Sequence, residues 1–187
     1  MEEYWKAGIS FEEYLKIAEE RVEVPKTEVD HEMMEYYKLG LQRMNRTLKT
    51  LHFDPLQYET LREKNFQGRI LIISEAWCGD ASATVPAVVR FFEGYNEVRI
   101  FLRDSDPSLI NQFLTAGTQS IPKILILNED FSVKAIWGPR PAFGNELLKK
   151  FKTQPDTYPR EEFYNDLQVY YAKNRGTDVI DEILKLI

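Results

Sequence analysis

Apolar side chains recur along this chain with two different periods. In the first third the steps are three and four residues. Phe11, Tyr14, Leu15 and Ala18 follow a Ser10 and Glu13 pair with capping-box spacing, which predicts a first helix. Val24-Pro25 interrupts it. The stripe Met33, Tyr37, Leu41, Met44, Leu48 and Leu51 then predicts an amphipathic helix from about Thr27 to Thr50. Gly40 lies inside that helix and costs about 1 kcal/mol against alanine. Asp54-Pro55 reads as an N-cap with proline at the first helical position, opening a short helix to about Lys64.

From Arg69 the pattern changes. Arg69-Ile-Leu-Ile-Ile-Ser74 is a short β-branched run and predicts a buried strand. Val85, Val88, Val89 and Phe92 predict a helix over about Gly79–Phe92, and Val98, Ile100 and Leu102 alternate as a second strand. Asp106-Pro107 predicts a further capped helix ending near Gly117. Lys123–Asn128 and Ser132–Trp137 predict two more strands, and a helix follows around Asn145–Lys152. The expected order is strand, helix, strand, helix, strand, strand, helix. The first pairs are expected to be parallel through helical crossovers, and the last two strands to form an antiparallel hairpin. Beyond a polar linker at Gln154–Pro159, Phe163, Leu167, Tyr170 and Tyr171 predict another helix. Thr177 is expected to cap a last one carrying Ile180, Ile183, Leu184 and Ile187. The fold class is α/β, a mixed central sheet flanked by helices. The expected divisions are a helical extension over 1–50, a core over 51–153 and a second helical extension over 154–187. The flanking stripes are expected to pack on the core rather than form a partner surface.

Composition narrows the function. The 187 residues carry 24 Lys plus Arg and 30 Asp plus Glu, a net charge of −6 without a basic run, which argues against duplex binding. No segment has the roughly 20 apolar residues of a membrane span. The start, Met-Glu-Glu-Tyr-Trp-Lys, lacks the basic and apolar regions of a signal peptide. With the single cysteine Cys78, which excludes an intramolecular disulfide, this leads to the expectation of a reducing cytoplasm. His31 and His52 have no ligand-spaced partners, so no metal is expected. The oligomeric state is open.

Cys78 follows a predicted strand and precedes a predicted helix, within Trp77-Cys78-Gly79-Asp80-Ala81. Unpaired N–H groups and the helix dipole at such a turn favour thiolate. Asp80 opposes this with a like charge, which Arg140 offsets if its loop folds over the same strand ends. The sequence leaves the balance open, and with it the alternative that Cys78 is an inert buried small hydrophobe.

Trp77-Cys78-Gly79 after an apolar strand resembles the thioredoxin active-site motif. Three more features match in register. Pro86 falls 8 residues after Cys78, where thioredoxins kink the active-site helix. Ile121-Pro122, with the proline 44 residues after, falls at their cis-proline loop. Gly138, 60 residues after, falls at a glycine of the substrate-facing rim. The resemblance spans about Leu51–Thr153. Together with Trp137-Gly-Pro-Arg-Pro141 and the helical tail, the chain is similar to a bacterial branch of thioredoxin-like proteins.

The resemblance implies that Trp77, Gly79, Ile121, Pro122 and Gly138 surround Cys78. Asp80 joins them as its near neighbour in the chain, and Arg140 as a candidate thiolate or substrate-anion contact, the alternative being that Gly138-Pro-Arg-Pro141 only joins strand to helix. The resemblance also implies that a cis turn at Pro122 leaves the Ile121 backbone free for an extended partner. Three departures matter. The second cysteine of thioredoxins is replaced by Ala81, the usual proline before it by Asp80, and their buried acid by Ile72. Two-thiol reduction within one chain is therefore impossible. The expected activity is monothiol exchange: Cys78 forms a mixed disulfide with a protein or low-molecular-weight disulfide, and an external thiol resolves it, with no cofactor. The alternative is a non-catalytic adaptor that keeps the peptide groove. A glutathione-held iron–sulfur cluster is disfavoured, because the glutathione-binding set is not found.

Overall fold

A computed structural model describes residues 1–187. Eight α-helices and four β-strands follow the order α1 (Glu2–Ala7), α2 (Phe11–Glu23), α3 (Glu28–Thr50), α4 (Pro55–Lys64), β1 (Arg69–Ser74), α5 (Ala81–Phe92), β2 (Val98–Leu102), β3 (Lys123–Leu127), β4 (Val133–Trp137), α6 (Ala142–Thr153), α7 (Arg160–Asn174) and α8 (Thr177–Leu184). Capping boxes start three of the helices. Ser10 pairs with Glu13, Thr27 with Asp30 and Asp54 with Gln57, each satisfying backbone donors at a helix start.

The sheet order is β2-β1-β3-β4. β1 and β2 are parallel, and β3 and β4 form the expected antiparallel hairpin. The expectation of a parallel third strand is corrected: β3 runs antiparallel to β1, with Ile72 opposite Ile124. The cause is the stretch after β2. Instead of a crossover helix over Asp106–Gly117, it holds one 3₁₀ turn at Ile110–Gln112. Only Leu109 and Ile110 are buried there, while Leu114 is exposed. Ala116 and Gly117 then take left-handed conformations that turn the chain back.

The core is built on Ile70–Ile73, Ile124–Leu127 and the inner face of α5, all fully buried. The flanks complete it. Trp5, Phe11, Tyr14, Tyr37 and Met44 come from α1–α3, and Val179, Ile180, Ile183 and Leu184 from α8. α6 and α7 close a smaller cluster around Tyr158, Phe163, Leu167 and Tyr171. Helix α1 went unpredicted because six residues hold one buried position, Trp5, too few for a period. Thr177 is not the cap of α8. Gly176, at φ 86°, holds that place, and Thr177 donates to the His52 carbonyl at 3.4 Å. No helix is long and apolar enough to cross a membrane.

Candidate functional site

The segment Glu75–Asp80 joins β1 to α5 and carries the chemistry. α3 lies directly against it. A Cβ at Gly40 would fall inside the Ala76 carbonyl oxygen, so the glycine lets the two backbones meet. A second link uses Pro86. Lacking an N–H, it leaves the Ser82 carbonyl without its helical donor, and the Thr47 hydroxyl of α3 donates to that carbonyl at 3.1 Å.

Cys78 is buried, with 8% of its surface exposed. Its thiol donates toward the Ile121 carbonyl at 3.4 Å. Burial pushes the thiol up to about 11, and the Asp80 charge adds to this; the N–H groups of Ala81 and Asp80 and the Arg140 guanidinium pull the other way. Desolvation outweighs the helix-end donors, so the resting group is a thiol. Ala81, where a second thiol would be, is fully buried.

Asp80 is also buried, and the loop after β4 brings Arg140 over it: Nη2 lies 2.7 Å from Oδ2. The Tyr171 hydroxyl of α7 donates to Oδ1 at 2.8 Å. Burial raises the Asp80 carboxyl, and Arg140 is the largest opposing influence. Trp77 is pinned at the rim. Its Nε1 donates to Asp104 at 3.1 Å, and the Arg103 guanidinium covers its ring at 5.0 Å.

The Ile121-Pro122 bond is cis, as is Gly138-Pro139, which the sequence did not suggest. Gly138, at φ 112°, packs so closely on the Pro122 carbonyl that a Cβ would overlap it. The Ile121 N–H makes no backbone hydrogen bond. Trp77, Cys78, Gly79, Asp80, Ile121 and Arg140 all line one cleft of about 810 Å³. Pro122 and Gly138, packed on each other, are not among the residues that line it.

Several contributors were missed. Arg43 of α3 reaches over Gly79, whose Cβ would be 3.2 Å from its guanidinium. Gln168 of α7 donates to the Gly79 carbonyl at 3.5 Å. Glu75 is buried, accepts the Asp104 N–H at 2.8 Å and lies 3.7 Å from Arg21. Burial pushes it up to about 7. Gly40 was the available signal for α3, since a glycine in mid-helix usually marks a close approach.

Residues 27–152 match the family model described as Thioredoxin. The chain belongs to the thioredoxin family. The match begins at the cap of α3, so the family pattern includes the helix that supports the Cys78 loop. Among solved structures, the thioredoxin-family chain is similar to a protein of unknown function from Pseudomonas aeruginosa, 16% identical with a TM-score of 0.67 over 98% of this chain and 93% of that one. It is also similar to an HIV epitope-scaffold, 15% identical with a TM-score of 0.63 over 98% and 94%. At such identities these likenesses show the fold alone, terminal helices included. No curated protein matches the chain.

Proposed function

We propose that this thioredoxin-fold protein docks an extended partner segment in the Cys78 cleft and does not turn over disulfides. One observation carries the reading: the single thiol is buried, held toward the Ile121 carbonyl and kept protonated beside Asp80, with alanine where a resolving thiol would act. Exchange needs thiolate, accessible sulfur and a second thiol. Docking needs none of these. Ile121, whose N–H has no backbone partner, lines the cleft, and Trp77 is a rigid aromatic anchor at its rim.

Monothiol exchange is the second reading, favoured by the Asp80 and Ala81 N–H groups aimed at the sulfur. In that chemistry the Cys78 thiolate attacks a disulfide, a new S–S bond forms and the partner thiolate leaves. An external thiol then attacks the mixed disulfide and restores Cys78. Iodoacetamide kinetics and Cys78→Ser separate the two readings. Docking without turnover predicts alkylation at pH 8 at least about tenfold slower than a free model thiol, with partner binding by Cys78→Ser unchanged. Fast alkylation, stoichiometric adduct formation with glutathione disulfide and loss of binding in Cys78→Ser would overturn it in favour of exchange.

A further inference from the structure

The chain carries a net charge of −6, yet the surface around Cys78 has the opposite sign. Four arginines line the cleft: Arg43, Arg103, Arg140 and Arg160. Two are neutralised, Arg140 by Asp80 and Arg103 by Asp104. Arg43 and Arg160 form no ion pair. The single acidic lining residue, Asp80, is in contact with Arg140 and acts on Arg43 only at longer range. The positive surface continues along α3. An adjoining depression of about 700 Å³ shares Leu39, Arg43 and Gln168 with the cleft and adds Arg46 and Lys49, with no acidic residue on its wall. From Tyr36 to Phe53 the sequence holds Lys38, Arg43, Arg46 and Lys49 and no Asp or Glu. Arg43, Arg46 and Lys49 are spaced by three residues, so they lie on neighbouring turns of one side of the helix. Between the charges, Tyr36, Leu39 and Tyr164 expose apolar surface into the cleft.

Such a track complements an extended chain carrying alternate carboxylates and apolar anchors. We infer that the partner segment is an acidic peptide, with its backbone beside Ile121, an apolar side chain among Tyr36, Leu39 and Tyr164, and its carboxylates on Arg43, Arg46 and Lys49. This inference rests on the docking reading and adds the chemistry of the partner. A peptide is favoured over a nucleic acid because Ile121, whose N–H has no backbone partner, lines the cleft and no aromatic pair is stacked on the track, while the chain's net negative charge opposes a polyanion. Charged pairing of this kind sets preference and is screened by salt.

The test uses the full chain and three fluorescein-labelled decapeptides with identical Leu and Tyr anchors, differing only in Glu, Gln or Lys at the alternate positions. Fluorescence anisotropy is expected to show the Glu peptide binding at least about tenfold tighter than the Gln peptide, with the Lys peptide weakest. The ratio of Glu to Gln affinity should fall to about twofold or less at high salt. It should fall likewise in Arg43→Gln/Arg46→Gln/Lys49→Gln. Arg46→Gln alone, at an exposed position, should give a partial loss with an unchanged circular dichroism spectrum. Equal affinity for the Glu and Gln peptides overturns the acidic preference and leaves docking standing. Binding of none of the three overturns both. An oligothymidylate of the same length binding tighter than the Glu peptide overturns the assignment to a peptide.

Discussion

Glu75 and Asp80 open and close the same six-residue loop, and both are buried carboxyls, yet their surroundings set them apart. Glu75 belongs to the side covered by the N-terminal helices. Its cation is Arg21, 3.7 Å away, which also serves Asp30 and the Tyr37 hydroxyl. Asp80 belongs to the side covered by the C-terminal helices. It has Arg140 at 2.7 Å and the Tyr171 hydroxyl at 2.8 Å. Burial pushes both carboxyls up, Glu75 to about 7. A shared and distant cation leaves Glu75 able to take up a proton near neutrality, whereas a dedicated one holds Asp80 as a charged partner. Burial alone does not decide the charge state; the allegiance of the neighbouring arginine does. Each helical flank thus reaches the Cys78 loop through one carboxyl of that loop.

The largest effect is expected where the dedicated pair is broken. Arg140→Leu leaves Asp80 buried without its cation and should cost about 3–5 kcal/mol in chemical denaturation. Asp80→Ala/Arg140→Leu should recover at least half of that, since the cost lies in the orphaned charge. A single-variant loss below about 1 kcal/mol would mean that water already reaches the pair.

The Glu75 side is expected to give a smaller, pH-dependent effect. With its folded pKa raised from 4.5 to about 7, the native state keeps a proton that the unfolded chain releases in this window. Its contribution is therefore complete below about 4.5 and lost as pH rises through about 7. The stability of the wild type relative to Glu75→Gln should fall by about 3 kcal/mol across that range. A flat difference would show Glu75 ionised throughout.

Period and caps made much of the architecture legible in advance. β1 was bounded at Arg69–Ser74 as found, and the Asp54-Pro55 helix ends where expected, because both rest on local chemistry. The direction of β3 was not legible. It depends on what the chain does between Asp106 and Gly117, where a cap and proline signalled a helix that too few buried apolar positions sustain. At the site, charge makes Arg140 a counter-ion for Asp80 only if its loop folds over the strand ends, and the structure brings the two into contact. The protonation state of the thiol was not, since it is set by desolvation, and burial comes from α3 and α7 folding over the loop. Tyr171 and Gln168, 91 and 89 residues from the loop atoms they touch, left no local trace.

The finest distinction between the two carboxyls is one of sign, and a pair of matched substitutions reads it. Tyr171→Phe removes a donor aimed straight at Asp80, so the Asp80 carboxyl should rise further, with about 1 kcal/mol lost. Tyr37→Phe removes instead a competitor for the guanidinium of Arg21, which donates to the Tyr37 hydroxyl. The freed donor can turn to Glu75, whose carboxyl should fall below its wild-type position near 7. Carboxyl carbon chemical shifts followed through a pH titration measure both. Opposite displacements follow from a shared arginine on one side and a dedicated one on the other. Displacements of the same sign would mean that Arg21 is as firmly committed as Arg140, and the contrast between the two sides of the loop would then be one of distance alone.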